Sequence, residues 1–96
     1  MYQIILSKIA KQDIKDIAHY IAKDNPYMAL VFTQEMIKSF SNKLSLFPKI
    51  GVKIKWMYYT VYQWYYIFYD IYDKQKEILI LRIVNSAQYT QYQNFL

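Results

Sequence analysis

The chain of 96 residues has no cysteine, one glycine, two prolines and one histidine. Each shortage excludes something. Without cysteine there is no disulfide framework, no thiolate nucleophile and no Cys-type zinc site. A lone histidine, His19, excludes a His-cluster metal site and argues against a serine triad. A single glycine, Gly51, builds neither a Gly-rich phosphate loop nor a nucleophile elbow. No uninterrupted apolar run reaches the roughly 18 residues of a membrane span. The N-terminus lacks a basic region and a long apolar core, so no signal peptide is expected. No metal, cofactor or membrane partner is expected, and the expected location is the cytoplasm.

The chain is basic and aromatic, with a net charge of +5 and twelve tyrosines. The charge fits a polyanionic or acidic partner, and equally an ordinary basic surface. The length suits one domain spanning residues 1–96, with a core large enough to fold alone. The central stretch runs from Trp56 to Asn85. β-branched and aromatic residues fill it, with a short charged break at Asp73–Lys76. It reads as two strands paired in an antiparallel hairpin. An odd-length turn would gather Ile67, Ile71, Leu79, Leu81 and Ile83 on a core face. It would set Asp70 and Arg82 on the other face, whereas an even turn would bury a charge on each side. The odd turn is therefore expected. The second face then carries Tyr66, Phe68, Tyr72, Ile78 and Ile80, with Arg82 among them. A patch of that kind marks a protein interface.

Ahead of the hairpin, Tyr2–Leu6 reads as a strand and Ser7 as a helix N-cap. Ala10, Ile14, Ile17, Ala18 and Ile21 form one stripe of an amphipathic helix. Pro26 stops that helix and starts another, capped by Asn25. Ala29, Phe32, Met36, Phe40, Leu44 and Phe47 recur every three or four residues until Pro48. So short a connection makes the pair an antiparallel helical hairpin. Ile50–Trp56 reads as a half-buried strand with Lys53 and Lys55 on its outer side, and Met57–Tyr62 as a bridge into the central hairpin. The expected fold is α+β: an N-terminal strand, then a helical hairpin on one face of an antiparallel sheet, in the order β-α-α-β-β-β.

Several stretches in sequence carry a family resemblance. They are S-x-x-A-x-x-D-I-x-x-I-x-x-Y-I from Ser7, N-P-x-x-A-x-x-F from Asn25 and L-x-x-F-P-x-x-G from Leu44. Y-x-I-x-Y-x-I from Tyr65 and I-x-I-L-R-I from Ile78 complete the set. The chain resembles the RelE/ParE superfamily of bacterial type II toxins, on the ParE or plasmid-stabilisation side. The resemblance implies a growth-inhibiting toxin held silent in a hetero-oligomer with a cognate antitoxin. It also implies one of two targets: DNA gyrase for ParE-like members, or mRNA on the ribosome for RelE-like endonucleases. The ribonuclease reading places catalysis on Lys53, Lys55, Arg82 and Tyr89, with the lysines and arginine holding phosphate. Many members have a histidine at the position of Asn85 and an arginine at that of Gln88. RelE-like enzymes have an arginine where this chain has Tyr66. These departures favour gyrase over mRNA, and leave a non-toxic, antitoxin-binding member as a third reading. The antitoxin is expected on Tyr66, Phe68, Tyr72, Ile78, Ile80 and Arg82, where aromatic anchors supply binding energy and Arg82 meets a carboxylate. The competing reading of Arg82 is an internal pair with Asp70. Asp13, Asp16 and Asp24 read as solvated or capping residues, and the tail from Ser86 to Leu96 as a partial cover.

Overall fold

The structure, a computed structural model, describes residues 1–86. Strand β1 (Gln3–Leu6) leads into α1 (Lys8–Ala22) and α2 (Pro26–Leu46). A short 3-10 turn follows at Pro48–Ile50. Then come β2 (Val52–Ile54), β3 (Met57–Tyr62), β4 (Tyr65–Tyr72) and β5 (Glu77–Asn85). The five strands form one sheet in the order β1-β5-β4-β3-β2.

The helix starts obey local chemistry. The Ser7 hydroxyl accepts from the Ala10 amide at 2.9 Å, and the Asn25 side chain accepts from Met28 at 3.1 Å. Pro26 occupies the first turn of α2, where its missing amide costs nothing. The α1 stripe packs inward through Ala10 and Ile17, the α2 stripe through Ala29, Met36, Phe40 and Leu44. Phe47 leaves its stripe. The α2 axis ends at Leu46, and Phe47 is turned out to solvent.

The sheet is mixed rather than wholly antiparallel, because β1 runs parallel to β5. A parallel pair needs a long crossover, and the helical hairpin with β2–β4 supplies it. Met57–Tyr62 is a full strand instead of a bridge, joined to its neighbours by two-residue turns. Lys55 and Gln63 take φ of 55° in those turns, a left-handed conformation that glycine usually fills. The strand within Ile50–Trp56 shrinks to Val52–Ile54.

The β4–β5 turn also differs from expectation. Tyr72 pairs with Glu77, so four residues lie between the strands, an even number. Charge is kept out of the core by a bulge instead. Phe68 pairs with Arg82 while Tyr69 pairs with Ile80, leaving Leu81 as the extra residue. The bulge shifts parity once. On the helix-covered face Ile78, Ile80 and Ile83 join Tyr65, Ile67 and Tyr69 in the main core. Leu81 moves to the other face and packs on a smaller cluster of Met57, Phe68 and Val84. Leu79, opposite Asp70, leaves the core line as well.

Gly51 is required by close approach rather than by its backbone angles. A Cβ there would collide with the Tyr59 carbonyl oxygen and the Tyr69 hydroxyl. The Tyr69 hydroxyl donates to the Pro48 carbonyl at 2.7 Å and accepts from the Gly51 amide at 3.1 Å. One buried tyrosine thus ties the turn after α2 to the middle of the sheet. Burial pushes its ionisation above the ordinary tyrosine value, partly offset by the Gly51 hydrogen bond.

Candidate functional site

β1 pairs with β5 only as far as Leu6 and Ile80. Beyond that point the outer edge of β5 needs other partners. The Ser7 amide donates to the Ile80 carbonyl at 3.0 Å, and the Ser7 hydroxyl donates to the Leu81 carbonyl at 3.0 Å. One residue further, the chain from α1 takes over. The Asp13 Oδ2 accepts the Ile83 amide at 2.8 Å and the Arg82 Nε at 3.0 Å, while Oδ1 accepts Arg82 Nη2 at 3.1 Å. Asp13 therefore stands in for a missing strand and neutralises an arginine at once. The pair is bidentate, the geometry in which guanidinium and carboxylate hold one another most firmly.

This corrects two expectations. Asp13 is buried and structural, neither solvated nor capping. Arg82 is tied to Asp13 rather than to Asp70, whose carboxylate accepts the Ile71 amide. Asp16 accepts from the Gln12 side chain and is exposed.

An open cleft of about 540 Å³ lies over this pair, with Tyr20, Trp64, Tyr65 and Asn85 among its walls. Its rim is aromatic because the β3–β4 turn carries Trp64 beside the end of β5. Phe32 on α2 stacks on Trp64 at 6.1 Å and meets Tyr62 and Tyr65 edge-on at 5.6 and 5.7 Å. Burial raises the Tyr65 ionisation above its ordinary value. His19 is exposed on α1 and does not line the cleft.

The ribonuclease set is not brought together. Lys53 is exposed on β2, its ammonium 5.5 Å from the Tyr58 ring centre, and Lys55 is exposed in the following turn. β2 and β5 are separated by β3 and β4. At about 4.8 Å per strand spacing, the lysines and Arg82 stand on the order of 14 Å apart across the sheet. Tyr89 lies outside the described residues, as does the tail as a cover. Among the described residues, no three His, Cys, Asp or Glu side chains gather to hold a metal ion. No described helix is long and apolar enough to cross a membrane.

The expected antitoxin face divides. Ile78 and Ile80 are fully buried beneath the helices and present nothing to a partner, because the even turn puts them on the core side. Phe68 is on the far face but fully buried, flanked by Tyr59 at 5.8 Å and Tyr66 at 6.5 Å. Tyr66 is half-buried and stacks on Tyr59 at 5.3 Å. Tyr72 is exposed on that face, as is Val61.

A family model described as the ParE toxin of the type II toxin-antitoxin system, parDE, matches residues 4–89. No curated protein matches. Among solved structures, the chain is similar to one from the chromosomal ParDE toxin-antitoxin system of P. aeruginosa. That likeness has 23% identity and a TM-score of 0.72, over 88% of this chain and 96% of that one. A chain of the RelBE2 toxin-antitoxin complex from Mycobacterium tuberculosis is similar at 19% identity and a TM-score of 0.61, with the same coverage.

Proposed function

We infer that this chain, which belongs to the ParE toxin family of type II toxin-antitoxin systems, inhibits growth by acting on DNA gyrase and is silenced by a cognate antitoxin. One observation carries the choice of target. The arginine that an mRNA-cutting site would use is held by Asp13, across the sheet from Lys53 and Lys55. Metal-free RNA cleavage needs cationic groups converging on one phosphate. The described residues offer two exposed lysines at one sheet edge and a neutralised arginine near the other. Inhibition by binding asks for no such convergence.

The antitoxin, in this reading, lies across the far sheet face. Tyr72, Val61 and Val52 are exposed apolar side chains there, with Tyr66 beside them and Phe68 as the support beneath. A basic toxin favours an acidic antitoxin segment, whose approach the charge accelerates. Ile78 and Ile80 have no part in it.

The test is expression without antitoxin. Plasmid supercoiling, gyrase–DNA cleavage complexes and mRNA 5′ ends are then scored together. Growth arrest with lost supercoiling is the expected result. Codon-phased mRNA cuts with normal supercoiling would move the chain to the ribosome-directed class, and Lys53 and Lys55 would become its catalytic candidates. Unimpaired growth would leave a chain that only binds its antitoxin.

A further inference from the structure

A second cleft, of about 500 Å³, opens at the end of the molecule where α2 stops. Leu46, Phe47, Pro48, Ile50 and Tyr2 form its walls. Leu46 keeps 58%, Phe47 61% and Ile50 55% of its surface open to solvent. Leu46 ends α2 and Phe47 and Ile50 follow at the turn, so three large apolar side chains line one cleft. Exposed contiguous apolar surface of this kind marks a binding site.

The cleft is held open. The Tyr2 amide donates to the Ser45 carbonyl at 2.9 Å, so β1 is fastened to the end of α2. The Tyr2 hydroxyl donates to Asp73 at 2.6 Å, and the Tyr69–Pro48–Gly51 hydrogen bonds fix the turn from below. Its rim is cationic. Lys49 lines it, and the Lys76 ammonium sits 5.1 Å from the Tyr2 ring centre. Lys43 lies in the last turn of α2, and Lys74 adjoins Asp73. Asp73, the acid in the lining, already receives the Tyr2 hydroxyl. Aliphatic walls with lysines around them match a peptide that offers one bulky apolar side chain and flanking carboxylates. Phosphate recognition would call for converging cations instead of Leu, Pro and Ile walls.

We propose that this cleft docks an acidic protein segment of the toxin's target, anchored by one large apolar side chain between Phe47 and Ile50. The proposal rests on the toxin reading above and names the surface through which the target is engaged. It does not involve the Asp13–Arg82 cleft or the far sheet face.

The experiment uses the full chain and three variants: Phe47→Ser, Ile50→Ser and Lys49→Glu. Purified gyrase is the probe, and supercoiling inhibition, growth arrest on expression and antitoxin affinity are read in parallel. Because the side chains are exposed, the variants should melt with the parent. The expected result is inhibition weakened at least tenfold and growth arrest relieved, with antitoxin affinity within twofold of the parent. Variants as inhibitory and as toxic as the parent overturn the proposal while leaving the toxin reading intact. Lost antitoxin affinity assigns the cleft to the antitoxin and overturns it too. So does a parent dimer in sedimentation that Phe47→Ser disperses, which would mean a second copy fills the cleft. A parent that arrests growth without touching gyrase overturns the gyrase reading, and the cleft proposal then stands if the three variants relieve the arrest and falls if they do not. A parent that does neither overturns both readings.

Discussion

One face of the sheet lies under α1 and α2, and among the described residues no helix lies over the other. β4 is apolar toward both, with Tyr65, Ile67 and Tyr69 on the first and Tyr66 and Phe68 on the second. On the helix side the buried cluster joins α1, α2, β4 and β5 around Met36, Phe40 and Leu44. On the far side it comprises Met57, Phe68 and Val84, with half-buried rings beside them and Tyr72 and Val61 exposed. Both faces bury apolar side chains, and the helix-covered cluster is the larger of the two. The far face keeps apolar side chains at its margin, and those are what a partner can use.

The sharpest test of this contrast is a pair of truncations. Phe40→Ala should destabilise by about 3–5 kcal/mol, as for a buried phenylalanine ringed by core. Phe68→Ala should fall near the low end, about 3 kcal/mol, since a cavity on the thinner cluster relaxes more readily. Urea unfolding of both variants measures the gap. Equal losses would make the two clusters energetically alike, and a loss below about 1 kcal/mol at Phe68 would make the far face a mere surface.

Next in size is the clasp between the layers. Asp13→Ala removes the bidentate carboxylate from Arg82 and the acceptor of the Ile83 amide. A fully buried pair broken this way costs about 3–5 kcal/mol, and this one, whose arginine is partly exposed, should cost about 2–3. Thermal unfolding reads the loss. Hydrogen exchange at Ile83 should speed up with it, and an unchanged exchange rate would refute the strand-substitute role of Asp13.

Tyr69→Phe should cost about 1–3 kcal/mol, because the Pro48 carbonyl and Gly51 amide lose a shared partner. A pH signature accompanies it. The Tyr69 ionisation is raised on folding, so its contribution is whole below the unfolded value of 10.0 and is lost as pH rises through the folded value. The parent should therefore lose stability in alkali more steeply than Tyr69→Phe. Parallel slopes above pH 10.0 would show that burial of this hydroxyl is not felt.

The smallest effect on stability belongs to the exposed margin. Tyr72→Ala should leave unfolding within about 0.5 kcal/mol of the parent. The same change should weaken antitoxin binding by about 1–2 kcal/mol, the range of an interface anchor. Titration calorimetry separates the two. Unaltered affinity would move the antitoxin off the far face.

The amino-acid sequence by itself determined the elements whose signals are local. Ser7, Asn25 and Pro26 mark helix starts through hydrogen bonds within one turn, and the α1 and α2 stripes follow from a period of 3.6 residues. It also carried the ordered set of short patterns by which the family was recognised. Lys55–Trp56 and Gln63–Trp64 turn without glycine or asparagine, so nothing local marks β3 as a strand of its own. What only the tertiary structure decided were relations between distant segments. The parity of β5 hung on a bulge at Leu81, which no local pattern signals. The even turn put Ile78 and Ile80 in the core and off the binding face, and the bulge then brought Ile83, in place of Arg82, to the core side. The partner of Arg82 lay on α1, close in space because β1 stops pairing at Leu6 and leaves an edge to be satisfied. Exposure of Phe47 followed from where the α2 axis ends, although its spacing matched the buried stripe. Side-chain period fixes which residues share a face of one element. Which faces then meet is set by register and packing, and those are properties of the assembled chain.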